Sequence, residues 1–172
     1  VGLSAVQGAR LAGAGRIIAL DLDRRKLDLA RRLGATDVID GGAEEPLAAI
    51  RELTAGRGAD FVFEAAGSPR AFRLSAEAVR PGGQIVWLGK VNVDDEVAFR
   101  WGSLMGEKRI RRSSYGGARP QRDFPLLAKA YLDGTLKLDE LISRRLELAE
   151  INDGFAALKR GDVVRAVVTF AA

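Results

Sequence analysis

Cysteine and histidine are both absent from the 172-residue sequence. Without cysteine the chain forms no disulfide and offers no thiolate nucleophile. Without histidine it offers no imidazole base and no imidazole metal ligand. Because zinc sites in proteins are built mainly from these two residue types, we expect no metal site within this chain.

Long apolar runs are absent as well. No stretch approaches the roughly 20 residues that span a bilayer, and residues 1–15 lack the basic start and apolar run of a signal peptide. Hydrophobic residues make up 47% of the sequence and charged residues 29%, as in soluble globular domains. We therefore expect no membrane partner and a cytoplasmic protein.

Basic residues exceed acidic ones, giving a net charge of +4. They cluster at residues 24–26, 108–112 and 144–145. A nucleic-acid partner would require a recognisable reading module or aromatic residues interleaved with the charge, and neither is found. We interpret the clusters as solvated surfaces and expect no nucleic-acid partner, although an anionic small-molecule cofactor would also suit this charge.

Short apolar strands alternate with amphipathic helices along the first half of the sequence. The pattern predicts helices at 1–12, 24–33, 44–54 and from Pro69 to the Pro81-Gly82-Gly83 stop, and strands at 16–21, 37–40, 60–64 and 84–88. This alternation is typical of an α/β fold with a Rossmann-type, doubly wound parallel sheet.

The pattern changes after residue 97. Residues 97–112 indicate an extended segment, a helical turn and a last strand. Beyond them we expect a helix at 120–133, an irregular stretch at 138–148, a helix at 150–160 and a strand at 163–170. We expect a dinucleotide-binding domain over residues 1–116 and a short C-terminal α+β extension over residues 117–172.

The spacing at the start of the chain is typical of a dinucleotide motif. Asp21 ends the strand predicted at 16–21, 19 residues after Gly2, and a carboxylate there accepts hydrogen bonds from the adenosine ribose and repels a 2′-phosphate. Taken alone, a strand-end acid such as Asp21 favours turn-capping, and it is the context of the motif that favours ribose binding. Gly2 would be the third glycine of a G-x-G-x-x-G turn, at which a Cβ would hold the helix off the sheet.

By the same reading, the first strand and the first two glycines of the motif lie upstream of residue 1. We therefore expect a gap between strands 16–21 and 60–64, whose facing edges would be unpaired, or another segment or chain that fills it. Gly13-Ala14-Gly15 follows a helix and precedes a strand, the reverse of a phosphate-binding turn, and is predicted to be a helix C-cap.

Eight segments, in order, resemble the C-terminal half of zinc-dependent medium-chain alcohol dehydrogenases, with the class III-like group most similar. They are VGLSAVQGA (1–9), IIALD (17–21), LGAT (33–36), DFVFE (60–64), VWLG (86–89), YGG (115–117), INDGF (151–155) and VRAVVTF (164–170). The resemblance implies hydride transfer between NAD and a small-molecule alcohol or aldehyde.

The resemblance also implies which residues bind NAD. Asp21 and Lys26 would meet the adenosine ribose, residues 65–68 the ribose and pyrophosphate, residues 88–90 the nicotinamide, residues 113–115 the carboxamide, and Arg165 the pyrophosphate. The predicted set is Gly2, Asp21, Lys26, Ala65, Ala66, Ser68, Leu88, Gly89, Lys90, Ser113, Tyr115 and Arg165. Lys26 could equally be a surface lysine, and Arg165 could be a strand-edge arginine.

The catalytic zinc of such enzymes is held by their N-terminal domain, so the resemblance implies zinc in the parent protein only. We assign no catalytic residue to this chain and expect it to be inactive alone. The resemblance further implies a homodimer formed through segment 97–104, with Val97, Phe99, Trp101 and Leu104 at the contact; a buried turn within the monomer is the alternative.

Two other functions stay open. One is a zinc-free quinone or enoyl reductase of the same superfamily; these usually prefer the phosphorylated cofactor and lack the acid that Asp21 supplies. The other is a dinucleotide-binding module without chemistry. We expect an intact version of the domain to prefer NAD over NADP, a preference that Arg24 and Arg25 could soften by attracting a phosphate.

Overall fold

The computed structural model describes residues 1–43 and 45–170, in two compact units, Val1–Ala118 and Arg119–Ala172. The helices of the first unit are α1 (Gly2–Leu11), α2 (Arg24–Leu33), α3 (Pro46–Leu53) and α4 (Pro69–Ala78). Its strands are β1 (Ile18–Asp21), β2 (Asp37–Asp40), β3 (Ala59–Glu64), β4 (Val79–Trp87) and β5 (Arg109–Arg112). The second unit contains α5 (Pro120–Leu132), β6 (Arg144–Leu146), α6 (Ile151–Arg160) and β7 (Ala166–Val168).

Every strand pair that the structure describes is parallel, which confirms the predicted parallel α/β architecture. In the first unit β1 pairs with β2, and β3, β4 and β5 form a second sheet in that order. The register aligns Asp21 with Asp40 and Glu64 with Trp87. The carboxyl ends of neighbouring strands therefore finish side by side, where parallel α/β sheets bind ligands.

The predicted gap is confirmed, because β1 and β3 do not pair within the described residues. Ile18 of β1 and Val62 of β3 instead pack against one buried cluster formed by Ile39, Ile50 and Ala78. The two half-sheets thus share a core without sharing hydrogen bonds. Phe61 alternates with Val62 along β3 and is 61% exposed.

Local signals explain why α2 lies where the sequence predicts it. The Asp23 side chain accepts a hydrogen bond from the Arg25 backbone nitrogen and caps the helix. Gly34 ends it in the left-handed region, with φ +117°. The segment from Gly13 is likewise a helix C-terminal turn, with Gly13 at φ +76° and the Ala14 nitrogen donating to the Ala9 carbonyl.

The predicted end of α4 is wrong. The helix ends at Ala78, and β4 begins at Val79 and continues through Pro81-Gly82-Gly83. The register of β4 against β3 shifts between the Ala59–Val79 and Phe61–Gln84 pairs, so the proline lies in an irregular stretch of the ladder. A Cβ on Gly83 would meet the Val79 side chain at 2.6 Å, so glycine is required there by close packing.

Several predicted elements are shorter in the structure. Helices α1 and α3 lie inside the predicted ranges 1–12 and 44–54, and the predicted first residue of the latter, Glu44, lies outside the described residues. The 138–148 stretch is not wholly irregular, since it contains β6. The predicted strand 163–170 is reduced to β7, and just before it the Ser143 hydroxyl accepts a hydrogen bond from the Val164 nitrogen.

Candidate nucleotide-binding site

The loops that follow β3 and β4 are fixed to each other around Glu64. The Oε1 atom of Glu64 accepts hydrogen bonds from the backbone nitrogens of Ala66, at 2.8 Å, and Gly67, at 2.7 Å. Its carbonyl oxygen accepts from the nitrogens of Leu88, at 2.8 Å, and Gly89, at 3.0 Å. One residue therefore sets the conformation of its own loop and the position of the next.

Two glycines make this contact possible. A Cβ on Gly89 would lie 2.5 Å from the Gly67 nitrogen and 2.7 Å from the Gly67 Cα. A Cβ on Gly67 would lie 2.5 Å from the Lys90 carbonyl oxygen, and Gly67 has φ +70°. The predicted residues Ala66, Leu88, Gly89 and Lys90 are thus parts of one close-packed pair of loops.

Glu64 is the site residue that the sequence analysis missed. Its side chain is 4% exposed, and its Oε2 atom is buried without a hydrogen-bond partner among the described residues. The sequence shows only an acid at the end of an apolar strand. Such an acid is as easily a solvated strand terminus. The only indication in the sequence of a functional role was the Ala-Ala-Gly segment that follows it.

Ser68 and Gly2 occupy the same region. The Ser68 hydroxyl accepts from the Ala71 nitrogen at 3.2 Å and caps α4, so this side chain already has a structural role. A Cβ on Gly2 would lie 3.6 Å from the Cβ of Ala65, which places the start of α1 beside the end of β3. That distance is an ordinary van der Waals contact, so the described residues do not themselves demand a glycine at position 2, and the predicted motif role of Gly2 stays a prediction.

Asp21 ends β1 at the neighbouring half-sheet. Its Oδ1 atom accepts from the Asp23 nitrogen at 3.0 Å, and no other hydrogen bond joins this carboxylate to the part of the chain that the structure describes. The carboxylate therefore keeps acceptor capacity for a ligand. Lys26 is half-buried on the first turn of α2 and makes no ion pair with Asp21 among the described residues.

The arginines beside Asp21 are both paired with carboxylates. Arg24 Nε lies 2.6 Å from Asp40 Oδ2, and Arg25 binds Asp23 through Nη2 at 2.9 Å and Nε at 3.1 Å. The side-chain hydrogen bond from Arg24 lowers the pKa of Asp40, and that from Arg25 lowers the pKa of Asp23. These acids stay charged at neutral pH.

The remaining predicted residues are Ser113 and Tyr115 in the first unit and Arg165 in the second. The Ser113 nitrogen donates to the Trp87 carbonyl at 3.0 Å, which places the end of β5 beside the end of β4 but uses that N–H. Tyr115 is 96% exposed with φ +50°. Arg165 belongs to the second unit, where its carbonyl oxygen accepts from the Ser143 nitrogen.

The residues that the structure describes contain no group of three or more acidic, cysteine or histidine side chains arranged to hold a metal ion. Within the same residues, no helix has the length and apolar character needed to cross a bilayer. The site chemistry that this chain offers is therefore one carboxylate at the end of β1 and the backbone groups of two interlocked loops.

A parallel α/β unit with an acid at the end of one strand and glycine-dependent loops at the ends of two others defines a nucleotide-binding class of fold. Residues 1–132 match the zinc-binding dehydrogenase family, and the chain belongs to that family. The family resemblance predicted from the sequence segments is thereby confirmed.

Individual relatives agree. The chain is 33% identical over 172 residues to S-(hydroxymethyl)glutathione dehydrogenase of Escherichia coli, covering 99% of this chain and 47% of that protein. It is 32% identical over 170 residues to alcohol dehydrogenase-like 6 of Arabidopsis thaliana, covering 98% of this chain and 45% of the relative. Benzyl alcohol dehydrogenase of Acinetobacter calcoaceticus has a similar structure, with a TM-score of 0.92 at 32% identity over 99% of this chain and 47% of the other.

The chain therefore spans less than half the length of these relatives.

Proposed function

We propose that this chain is the NAD-binding part of an alcohol dehydrogenase that transfers hydride between NAD and a small-molecule alcohol or aldehyde. The observation that carries the proposal is the Asp21 carboxylate at the carboxyl end of β1, partly exposed and with spare acceptor capacity. A carboxylate in that place binds the two ribose hydroxyls of NAD and repels the 2′-phosphate of NADP. The presence of this acid argues against the zinc-free reductase alternative, whose members usually lack it.

The described residues fit NAD. The loops after β3 and β4 lie at the carboxyl ends of parallel strands, where this kind of sheet binds ligands, and the glycines at 67 and 89 let the two loops pack directly on each other there. Bound NAD would supply the hydride acceptor. This chain would bind the adenosine at Asp21 and Lys26 and orient the rest of the cofactor along residues 65–68, 88–90 and 113–115.

The described residues do not fit zinc, since they form no candidate metal cluster and the sequence has neither cysteine nor histidine. We therefore propose that the zinc, and with it the polarisation of the alcohol oxygen, belongs to residues of the parent protein outside this chain. The chain alone would not catalyse turnover.

Amide NMR titrations of the chain with NAD and with NADP test the proposal. We expect NAD to shift the amides of Asp21, Ala66 and Gly89, and NADP to bind more weakly. The substitution Asp21→Asn keeps the acceptor for the Asp23 nitrogen but removes the charge. Because a hydrogen bond to a charged group contributes about 1.5–3 kcal/mol, it should weaken NAD binding by about tenfold or more.

Asp28→Asn is the matched control, because Asp28 is an exposed acid on the outer side of the same helix that follows Asp21. It should leave both affinities unchanged. Equal or tighter binding of NADP by the unsubstituted chain would contradict the proposal, as would amide shifts confined to other strand ends.

A homodimer formed through segment 97–104 is the proposed assembly. Phe99 stacks on Trp87 at 5.7 Å between ring centroids, and Leu104 packs against the core, so both serve the monomer. Trp101 is 79% exposed and would be the principal contact. Sedimentation should show that Trp101→Ala weakens self-association; a monomer at all concentrations would contradict this assembly.

The proposed cytoplasmic location is tested by cell fractionation of the parent protein.

A further inference from the structure

The surroundings of Asp21 are electrically balanced. The sequence shows a basic run directly after Asp21-Leu22-Asp23, which would attract a phosphate. In the structure, three acids and three bases converge on this strand edge: Asp21, Asp23, Asp40, Arg24, Arg25 and Lys26. The choice of cofactor therefore depends on whether the guanidinium groups of Arg24 and Arg25 are available to bind a 2′-phosphate.

Arg24 is held by the adjacent strand. Asp40 ends β2 and lies opposite Asp21 in the register. Its Oδ2 atom binds Arg24 Nε at 2.6 Å, and its Oδ1 atom accepts from the Gly42 nitrogen at 3.0 Å. The Asp40 side chain is only 17% exposed, whereas that of Arg24 is 79% exposed. A largely buried carboxylate, itself bonded to the Gly42 nitrogen, thus binds an exposed cation.

Arg25 is held by the acid that caps its own helix. Two guanidinium nitrogens of Arg25 bind the two carboxylate oxygens of Asp23, the bidentate arrangement that arginine forms best. The same Asp23 Oδ1 atom also accepts from the Arg25 backbone nitrogen at 2.9 Å. The Arg25 guanidinium is therefore occupied at the position where a 2′-phosphate would otherwise recruit it.

We propose that Asp40 and Asp23 are specificity-determining residues that maintain the preference for the unphosphorylated cofactor by holding Arg24 and Arg25. This inference rests on the proposed nucleotide site. Asp21 repels the 2′-phosphate directly, while Asp40 and Asp23 remove the cations that would compensate that repulsion. A 2′-phosphate needs charge-assisted hydrogen bonds from arginine to bind, and here it must compete with two carboxylates for them.

The test uses adenosine 5′-monophosphate and adenosine 2′,5′-bisphosphate as probes, with affinities measured by calorimetry or amide NMR. Asp40→Asn retains an acceptor for the Gly42 nitrogen and removes the charge that holds Arg24. It should raise the affinity for the bisphosphate by up to about fivefold, the most expected for an exposed ion pair worth about 1 kcal/mol. Affinity for the monophosphate should not change. Asp23→Asn, which keeps the helix cap, should act in the same direction through Arg25.

Asp37→Asn is the matched control. Asp37 lies at the other end of β2, where it pairs with Arg16 at 3.4 Å, so its neutralisation changes net charge equally without freeing Arg24. A second variant combines Asp40→Asn with Arg24→Ala and should lose the gain. The gain should also shrink when ionic strength is raised, because screened charges attract the phosphate less. A purely structural effect of Asp40 would not respond to salt in this way.

The outcomes separate the two proposals. If the chain binds the monophosphate but Asp40→Asn binds the bisphosphate no better than Asp37→Asn does, the role of Asp40 is overturned and the nucleotide site stands. A gain that survives Arg24→Ala overturns it as well. If the unsubstituted chain binds neither probe at the end of β1, the nucleotide site and the inference built on it both fail.

Discussion

Replacing Gly89 with alanine tests the close packing of the two loops at the carboxyl ends of β3 and β4. The added Cβ would lie 2.5 Å from the Gly67 nitrogen and 2.7 Å from the Gly67 Cα, and it would also meet Glu64 Oε2. Neither a backbone atom nor a buried carboxylate oxygen can move freely, so the loops must separate. Separation would break the hydrogen bonds from Ala66 and Gly67 to Glu64.

The cost follows from two terms. Overpacking of a well-packed site costs about 1–3 kcal/mol, and each hydrogen bond lost to a charged acceptor about 1.5–3 kcal/mol. With the steric term in full and partial loss of one bond, we expect Gly89→Ala to lower the free energy of unfolding by about 3 kcal/mol. Calorimetry should then show Tm lowered by roughly 6–12 °C at the size of this chain.

Gly8→Ala is the control for this experiment. Gly8 lies in α1 with no atom within 4 Å of an added Cβ, so alanine should stabilise the protein by about 0.5–1 kcal/mol through helix propensity. A Gly89→Ala protein as stable as the unsubstituted chain would refute the interlocked arrangement of the two loops.

Three further changes follow from single contacts. Glu64→Ala removes the acceptor for two loop nitrogens and should cost about 2–4 kcal/mol in urea unfolding, whereas Glu64→Gln keeps an acceptor and should cost less. Ser75→Ala removes the acceptor for the Trp87 indole, 3.1 Å away, and should cost about 1–2 kcal/mol and shift the tryptophan emission; an unchanged spectrum would contradict this contact. Arg80 holds the pKa of Asp60 below its usual value, so their pair stabilises the fold above pH about 4 and is lost as pH falls through the lowered pKa. Asp60→Asn should flatten the acid side of the stability profile, and a profile identical to that of the unsubstituted chain would argue against the pair.

Elements whose signals are local could be predicted from the sequence. The strand ending at Asp21 and helix α2 fall where expected, because an Asp23 cap and a Gly34 stop both lie within the segment itself. The absence of pairing between β1 and β3 could also be predicted, since it follows from the strand order of the fold class. The parallel sheet and the family could be predicted as well, because the alternation of strands and helices and the family-like segments are visible in the sequence itself. Both predictions are confirmed.

Features that depend on distant residues could not be predicted. Pro81-Gly82-Gly83 resembles a helix stop, but the Gly82 nitrogen donates to the Gly106 carbonyl and the segment continues β4. The pairing of Arg24 with Asp40 joins residues 16 positions apart, and the sequence shows only a basic run.

The candidate site is divided between two half-sheets, and this determines what ligand binding does to the fold. Asp21 belongs to β1–β2, whereas the Glu64-centred loops belong to β3–β4–β5. These halves are joined by side-chain packing of Ile18 and Val62 and by the start of α1, not by a strand ladder. Packing without hydrogen bonds fixes relative position less firmly than paired strands do. A nucleotide that touches Asp21 and the loops together therefore bridges the halves, and at 100 times its Kd it adds about 2.7 kcal/mol to the stability of the unit.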